Sequence, residues 1–398
     1  MKNQKFTKTV ALCVVSALAV IAMAGCSSTP ASSASPSAST SASAVPTAAS
    51  ASASTAASAS TAATGKYYDA SATAEAIIKD AATKGKIGNW GLGNQYEIQA
   101  LLSKYAQPTT YLSQAFDMNG FDDDSILLAS AMTYNELGLV KNSYQGGYKY
   151  GDGVKTIDMN TEGVAMLEDN IFTTKDFAQK NPNTVKAFLA ASMKGWAYAV
   201  AHPDEAAQIC FKYGSSVSSD HQAYMAGEVK KLVQTDMTGA AVTNLGNIDD
   251  KAMQQTLDLA KKYIKLDDAT AETKLGTLTL DDIRDASYLK AATASGATLA
   301  APEKKDVKIQ LKWLPDAQFM GYYVALDKGY YKDLGLNVTI TPGGGDISET
   351  TAVNTQQVDF GVTWVSNLIS ANAGGMNLVE LSQVFQRSGL VLVYKINK

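Results

Sequence analysis

The chain has 398 residues, 46% hydrophobic and 18% charged, with a formal net charge of −4 at pH 7. Past residue 65 it is long enough for two lobes of about 150 residues each, and the absence of any basic block excludes nucleic acid as a partner. Its two histidines and three cysteines form no metal-spaced Cys/His set and no Ser-His-Asp pattern, and no phosphate loop with a lysine occurs.

The N-terminus reads as an export signal. Lys2, Lys5 and Lys8 make a positive start, Thr9 to Ala22 is an unbroken apolar-to-small run, and Met23-Ala24-Gly25-Cys26 follows. This ending resembles the lipobox of bacterial lipoproteins, with Met23 where leucine is usual. The resemblance implies a signal peptide over 1–25, cleavage before Cys26 and a diacylglycerol on its thiol. Two acyl chains hold a protein at a membrane where one does so only marginally. The expected location is therefore extracytoplasmic, lipid-anchored to the bacterial membrane. Residues 27–64 contain only Ser, Ala, Thr, Pro and Val, too little bulk to bury, which predicts a disordered tether over 26–65. Beyond Cys26 only Cys210 remains, read as a small buried hydrophobe beside Ile209 and Phe211.

From residue 66 to 168 the pattern alternates. Residues 84–90 read as a strand, Gly91 to Asn94 as a turn and Gln95 to Tyr105 as a helix with Ile98, Leu101, Leu102 and Tyr105 on one face. Thr110 to Phe116 reads as a strand, Asp122 to Ala129 as a short helix, and Val154–Met159 and Val164–Leu167 as strands. Such alternation belongs to a parallel sheet flanked by helices. From 169 to 290 the chain turns helical, at Asn183–Ala201, from Pro203, and at Ser219–Thr235, Asp249–Ile264 and Leu280–Ala286. A small-residue linker spans 291–305. Over 306–398 the alternation resumes: strands at 307–311, 336–341, 358–362, 378–384 and 390–394, with helices at 318–332 and 347–355.

Motifs in both blocks are similar to the solute-binding proteins of ABC importers for thiamine-pyrimidine and riboflavin precursors. In 306–398 they are Trp313-Leu-Pro-Asp316-Ala-Gln318, Pro342-Gly-Gly-Gly-Asp346, Asp359-Phe-Gly-Val-Thr-Trp364 and Gln383-Val-Phe-Gln-Arg387. Upstream they are Trp90-Gly-Leu-Gly-Asn94-Gln-Tyr-Glu97, Phe116-Asp-Met-Asn119, Ala131-Met-Thr-Tyr134-Asn135-Glu136, Gly163-Val-Ala-Met-Leu-Glu168 and Lys194-Gly-Trp196. The resemblance implies an α/β, two-lobed periplasmic-binding-protein-like fold of type II with a ligand cleft between the lobes. It makes 66–168 the second lobe, 169–290 a helical return to the first lobe and 306–398 the first lobe. In the family the block equivalent to 306–398 comes first, so the order here is that of a circular permutation joined through 291–305; a truncated or mis-assembled gene is the competing account.

The same resemblance implies a small heteroaromatic ligand (a thiamine pyrimidine precursor, or riboflavin), an ABC permease as partner, a monomer, no cofactor and no metal. It places Trp313, Asp316, Gln318 and Trp364 on one cleft edge and Asn94, Glu97, Tyr134, Asn135 and Glu136 on the other. Residue chemistry alone leaves each open. The tryptophans also suit a core, Glu97 a first-turn helix acid and Asp316 a helix cap. Trp90 and Trp196 read as core, with Trp90 nearer the cleft. Glu136, in an otherwise apolar run from Ala129 to Leu139, must be paired or face a cleft. Some relatives are enzymes that make the pyrimidine with a cysteine-rich motif and a histidine. This chain has no such cluster, and His202 and His221 read as solvated surface, so the expectation is a binder and not an enzyme.

Overall fold

The computed structural model describes residues 65–214 and 216–397. The export signal, Cys26 and the tether lie outside the described residues. Ten strands build two five-stranded sheets: β1 (Ile87–Asn89), β2 (Leu112–Ser113), β3 (Leu128–Met132), β4 (Val154–Asp158), β5 (Asn170–Thr174), β6 (Asp306–Gln310), β7 (Asn337–Thr341), β8 (Phe360–Thr363), β9 (Leu378–Gln383) and β10 (Leu390–Lys395). One sheet has the order β2-β1-β3-β10-β4 and the other β7-β6-β8-β5-β9. In each, the first three strands pair in parallel and the fourth runs antiparallel to both neighbours.

The two orders share one plan, and the antiparallel strand is the point of exchange. β5 leaves the β1 lobe and inserts between β8 and β9; β10 leaves the β6 lobe and inserts between β3 and β4. The expected first-lobe block 306–398 therefore ends one strand too late, because β10 completes the other sheet. The two crossovers run side by side. Val384 and Phe385 N–H both donate to the Asp169 carbonyl at 3.1 Å. Asn160 and Ser388 bond reciprocally, through Asn160 Nδ2 to the Ser388 carbonyl at 2.8 Å and Ser388 N–H to Asn160 Oδ1 at 3.1 Å.

Several expected elements shift for identifiable reasons. The helix expected over 122–129 is a turn followed by β3, because Asp123 accepts from Ser125 N–H at 2.9 Å and Asp124 sits at φ 64°. Such local side-chain bonds compete with helix. The apolar run after it misleads because all five residues of β3 are buried, hiding the period-two signal. Val164–Leu167 forms no strand: Met166 N–H donates to Glu97 Oε1 (2.8 Å) and Leu167 N–H to Thr256 Oγ1 (2.9 Å), so side chains replace a ladder. β5 falls inside the block expected to be helical. The helix expected over 318–332 breaks at Gly329, which adopts φ 75°. The segment 291–305 opens with the end of a helix, Ser287–Thr293.

The long helix Pro182–Ala201 packs on Met320–Asp327 behind the second sheet. Glycines allow that approach, since a Cβ on Gly321 would come within 2.2 Å of the Trp196 indole. Trp196 and Cys210 are buried as expected. His221 is not on the surface. It is fully buried, its ring nitrogens 3.0 Å from Gln145 Oε1 and 3.3 Å from the Asn135 carbonyl, because its helix packs against Glu136–Lys141.

The described ends meet. Tyr68 N–H donates to the Lys395 carbonyl at 3.3 Å and Asn397 N–H to the Tyr68 carbonyl at 2.9 Å. Lys395 Nζ lies 5.0 to 5.2 Å from the rings of Phe121, Tyr150 and Tyr67 and bonds Asp124 Oδ1 at 2.6 Å. Among the described residues no helix is long and apolar enough to cross a membrane.

Candidate ligand-binding cleft

The parallel strands of the two lobes aim their carboxyl ends at one another, and the residues just past those ends line a shared cleft. Trp90 follows β1, Phe116 follows β2, and Tyr134, Asn135 and Glu136 follow β3. From the other lobe come Lys312 and Trp313 after β6 and Trp364 after β8, with Leu92, Met132 and Gln318 completing about 430 Å3 of empty space. Ligands in open α/β sheets sit beyond strand carboxyl ends for this reason. The lobes touch across it. Phe116 and Trp313 meet edge to face at 5.1 Å, Ser366 Oγ donates to the Gly93 carbonyl (2.7 Å) and Asn367 Nδ2 to the Leu92 carbonyl (3.2 Å).

Six of the nine expected residues lie on this cleft: Trp313, Gln318, Trp364, Tyr134, Asn135 and Glu136. Asp316 is buried beside it, where its Oδ1 accepts from Gln318 N–H at 2.9 Å and starts a short helical turn. Asn94 is buried and takes a hydrogen bond from Asn89 Nδ2 at 3.2 Å. Glu97 is buried at the crossovers, holding Met166 N–H. Neither Asn94 nor Glu97 lines the cleft. Lys312 and Asp169 were not singled out from sequence, and Phe116 and Leu92 stood within motifs without being assigned to the cleft. Phe116 is 53% exposed on the rim after a two-residue strand, which leaves little pattern to read.

Three carboxyl groups converge here. Glu136 accepts from Met132 N–H (2.9 Å) and Asn135 Nδ2 (3.0 Å). Asp169 accepts from Gln318 Nε2 (2.9 and 3.1 Å) and from the Trp364 indole N–H (3.0 Å). Burial pushes Glu136 and Asp169 up to about 7 and Asp316 to about 8, against the pull of these donors. The cation nearby is already matched: Lys312 Nζ lies 3.3 Å from Glu349 Oε1 and 4.5 Å from the Trp364 ring. The cleft thus offers flat aromatic faces with carboxyl acceptors at their edge. That arrangement suits a planar ring carrying N–H donors.

Two lobes of one strand plan, joined by paired crossovers and facing each other over an aromatic cleft, make this a two-lobed periplasmic-binding-protein-like fold of type II. The chain belongs to the NMT1/THI5-like family, whose model matches residues 86–206 and 316–398. It is similar to the riboflavin-binding protein RibY of Chloroflexus aurantiacus, 29% identical over 109 residues; the match covers 27% of this chain and 31% of RibY. Among solved structures, the unliganded open form of the periplasmic murein tripeptide-binding protein MppA matches at 14% identity and a TM-score of 0.26, over 67% of this chain and 42% of that one. So distant a likeness carries no weight here.

Proposed function

We propose that this chain is the substrate-binding lipoprotein of an ABC importer, anchored outside the cytoplasm through Cys26, and that it captures a thiamine pyrimidine precursor of the formylaminopyrimidine or hydroxymethylpyrimidine type. The observation that carries this reading is Glu136, a carboxyl group only 7% exposed that lines the cleft beside the aromatic walls of Trp90, Phe116, Tyr134, Trp313 and Trp364. An aminopyrimidine presents a flat face to such walls and an amidine-like edge to a carboxylate, a pairing with two directed hydrogen bonds. Closing the lobes about the two crossovers excludes water from that pairing. The match to RibY supports riboflavin as the second reading, on the same walls.

Isothermal titration of the secreted chain against formylaminopyrimidine, hydroxymethylpyrimidine, thiamine and riboflavin tests the assignment. Saturable binding of a pyrimidine precursor is expected. Heat from riboflavin alone would move the assignment to the second reading, and no binding to any of the four would defeat both.

A further inference from the structure

Two of the lobe-to-lobe hydrogen bonds end on backbone carbonyls of one short turn. That turn, Gly91 to Asn94, follows β1 and is held from within its own lobe. Asn89 Oδ1 accepts from Gly91 N–H at 2.8 Å, Asn89 Nδ2 reaches Ser130 Oγ at 2.9 Å, and Gln95 Oε1 accepts from Gly93 N–H at 2.7 Å. The Leu92 and Gly93 carbonyls are left to the other lobe. There the helix Val365–Ala373, which starts directly after the wall residue Trp364, supplies Ser366 Oγ and Asn367 Nδ2 as their donors. Position 93 admits only glycine: its φ is 119°, and a Cβ there would lie 2.3 Å from Asn367 Oδ1 and 3.0 Å from Ser366 Oγ. We infer that Ser366 and Asn367 latch onto the Leu92 and Gly93 carbonyls as the lobes close, and that they are positioning residues that set how long a ligand is held without choosing which ligand it is. This rests on the cleft being the ligand site, as proposed above.

Both bonds join a neutral side chain to a peptide carbonyl. With the lobes together Ser366 is buried, so removing its hydroxyl leaves the Gly93 carbonyl short of a partner. With the lobes apart, water takes the donor's place. The loss therefore falls on the closed form alone, and each bond is worth about fivefold in the closing equilibrium. A ligand held between the lobes leaves only when they part, so release quickens by that factor. Ser366, Asn367 and Gly93 stand outside the lining of the aromatic cleft, which makes the factor the same for any occupant. The bonds carry no charge, so the factor is also the same at any pH, unlike an effect that runs through the Glu136 or Asp169 carboxyl group.

The test uses the full secreted chain and has two arms. The first is stopped-flow release of each compound that binds among formylaminopyrimidine, hydroxymethylpyrimidine, thiamine and riboflavin, in mildly acidic and mildly alkaline buffer. Ser366→Ala and Asn367→Ala should each speed release about fivefold, and together about tenfold or more. The factor should be shared by every bound compound and by both buffers. The second arm is X-ray scattering of the ligand-free chain, which needs no ligand. Gly93→Ala puts a wedge between the lobes and should give a larger radius of gyration than the parent. Gly91→Ala also falls at positive φ, 78°, but its Cβ would meet nothing closer than 3.7 Å, so it carries strain without the wedge and should stay as compact as the parent. Unchanged release in both alanine variants, a factor that differs between compounds or buffers, or a Gly93→Ala chain as compact as Gly91→Ala overturns the latch and makes the contact a fixed pivot. Binding of none of the four compounds overturns the cleft assignment instead, and the scattering arm still decides the latch.

Discussion

Asp169 reaches from the first crossover to the indole of Trp364, accepting its N–H at 3.0 Å, and so couples the hinge to a wall of the cleft. The same carboxyl group holds the Gln318 amide. Asp169→Ala would orphan both donors in a buried site, which costs about 1–3 kcal/mol for each unsatisfied group. Chemical unfolding should show that loss. Ligand titration should show weaker binding as well, since Trp364 loses its orientation. Full affinity in the variant would mean that Trp364 needs no such anchor.

Glu136 and Trp313 separate binding from folding. Glu136→Ala removes the acceptor proposed for the ligand edge, and Trp313→Ala removes a half-exposed wall whose ring contact is with Phe116. Each should weaken binding by about tenfold or more; stability should fall by only about 1 kcal/mol for Trp313→Ala and by about 1–3 kcal/mol for each donor that Glu136→Ala leaves unpaired, Met132 N–H and Asn135 Nδ2. Trp364→Ala, at a position 6% exposed, should cost about 3–5 kcal/mol as a cavity forms. If all three variants fail to fold, the tryptophans and Glu136 serve as core.

Stability should fall as pH rises through neutrality. Glu136, Asp169 and Asp316 have folded values of about 7, 7 and 8, above ordinary values of 4.5, 3.8 and 3.8. The unfolded chain therefore holds fewer protons between these limits. The stabilisation from keeping the groups neutral is complete below the unfolded values and lost as pH rises through the folded ones. Urea midpoints should drop progressively from about pH 4 to about pH 8 and level off above, and Glu136→Gln should flatten part of the slope. A ligand that pairs with ionised Glu136 should release protons near pH 6, read by titration in buffers of differing ionisation heat.

Chain order is open to direct trial. A rearranged gene beginning at Glu303, running to Asn397, joined to Lys66 by a short linker and ending near Thr293 would restore the family order. Because Tyr68 already bonds Lys395 and Asn397, that protein should fold and bind like the parent. Failure to fold would count against the permutation account.

The strands before Trp90 and Trp313 were legible, because their runs end in turns bearing aromatic and polar residues; β3, before Tyr134, was not, because all five of its residues are buried. What was hidden had physical causes. β5 carries Asn170, Thr173 and Thr174, polar residues buried within the sheet, so no apolar alternation marks it. Lys312 carries no signal of its own in the sequence; only the fold brings Glu349 and the Trp364 ring to it. Asn94 and Glu97 belong to a cleft-edge motif in sequence, yet their side chains turn inward to Asn89 and Met166.

The exchange of β5 and β10 has a mechanical result. Each sheet lacks an inner rib that only the other half of the chain can supply, so a nicked or half-length product would expose unpaired strand edges in its middle. The two lobes should therefore melt as one cooperative unit, and a protease cut within either crossover should be felt equally by both.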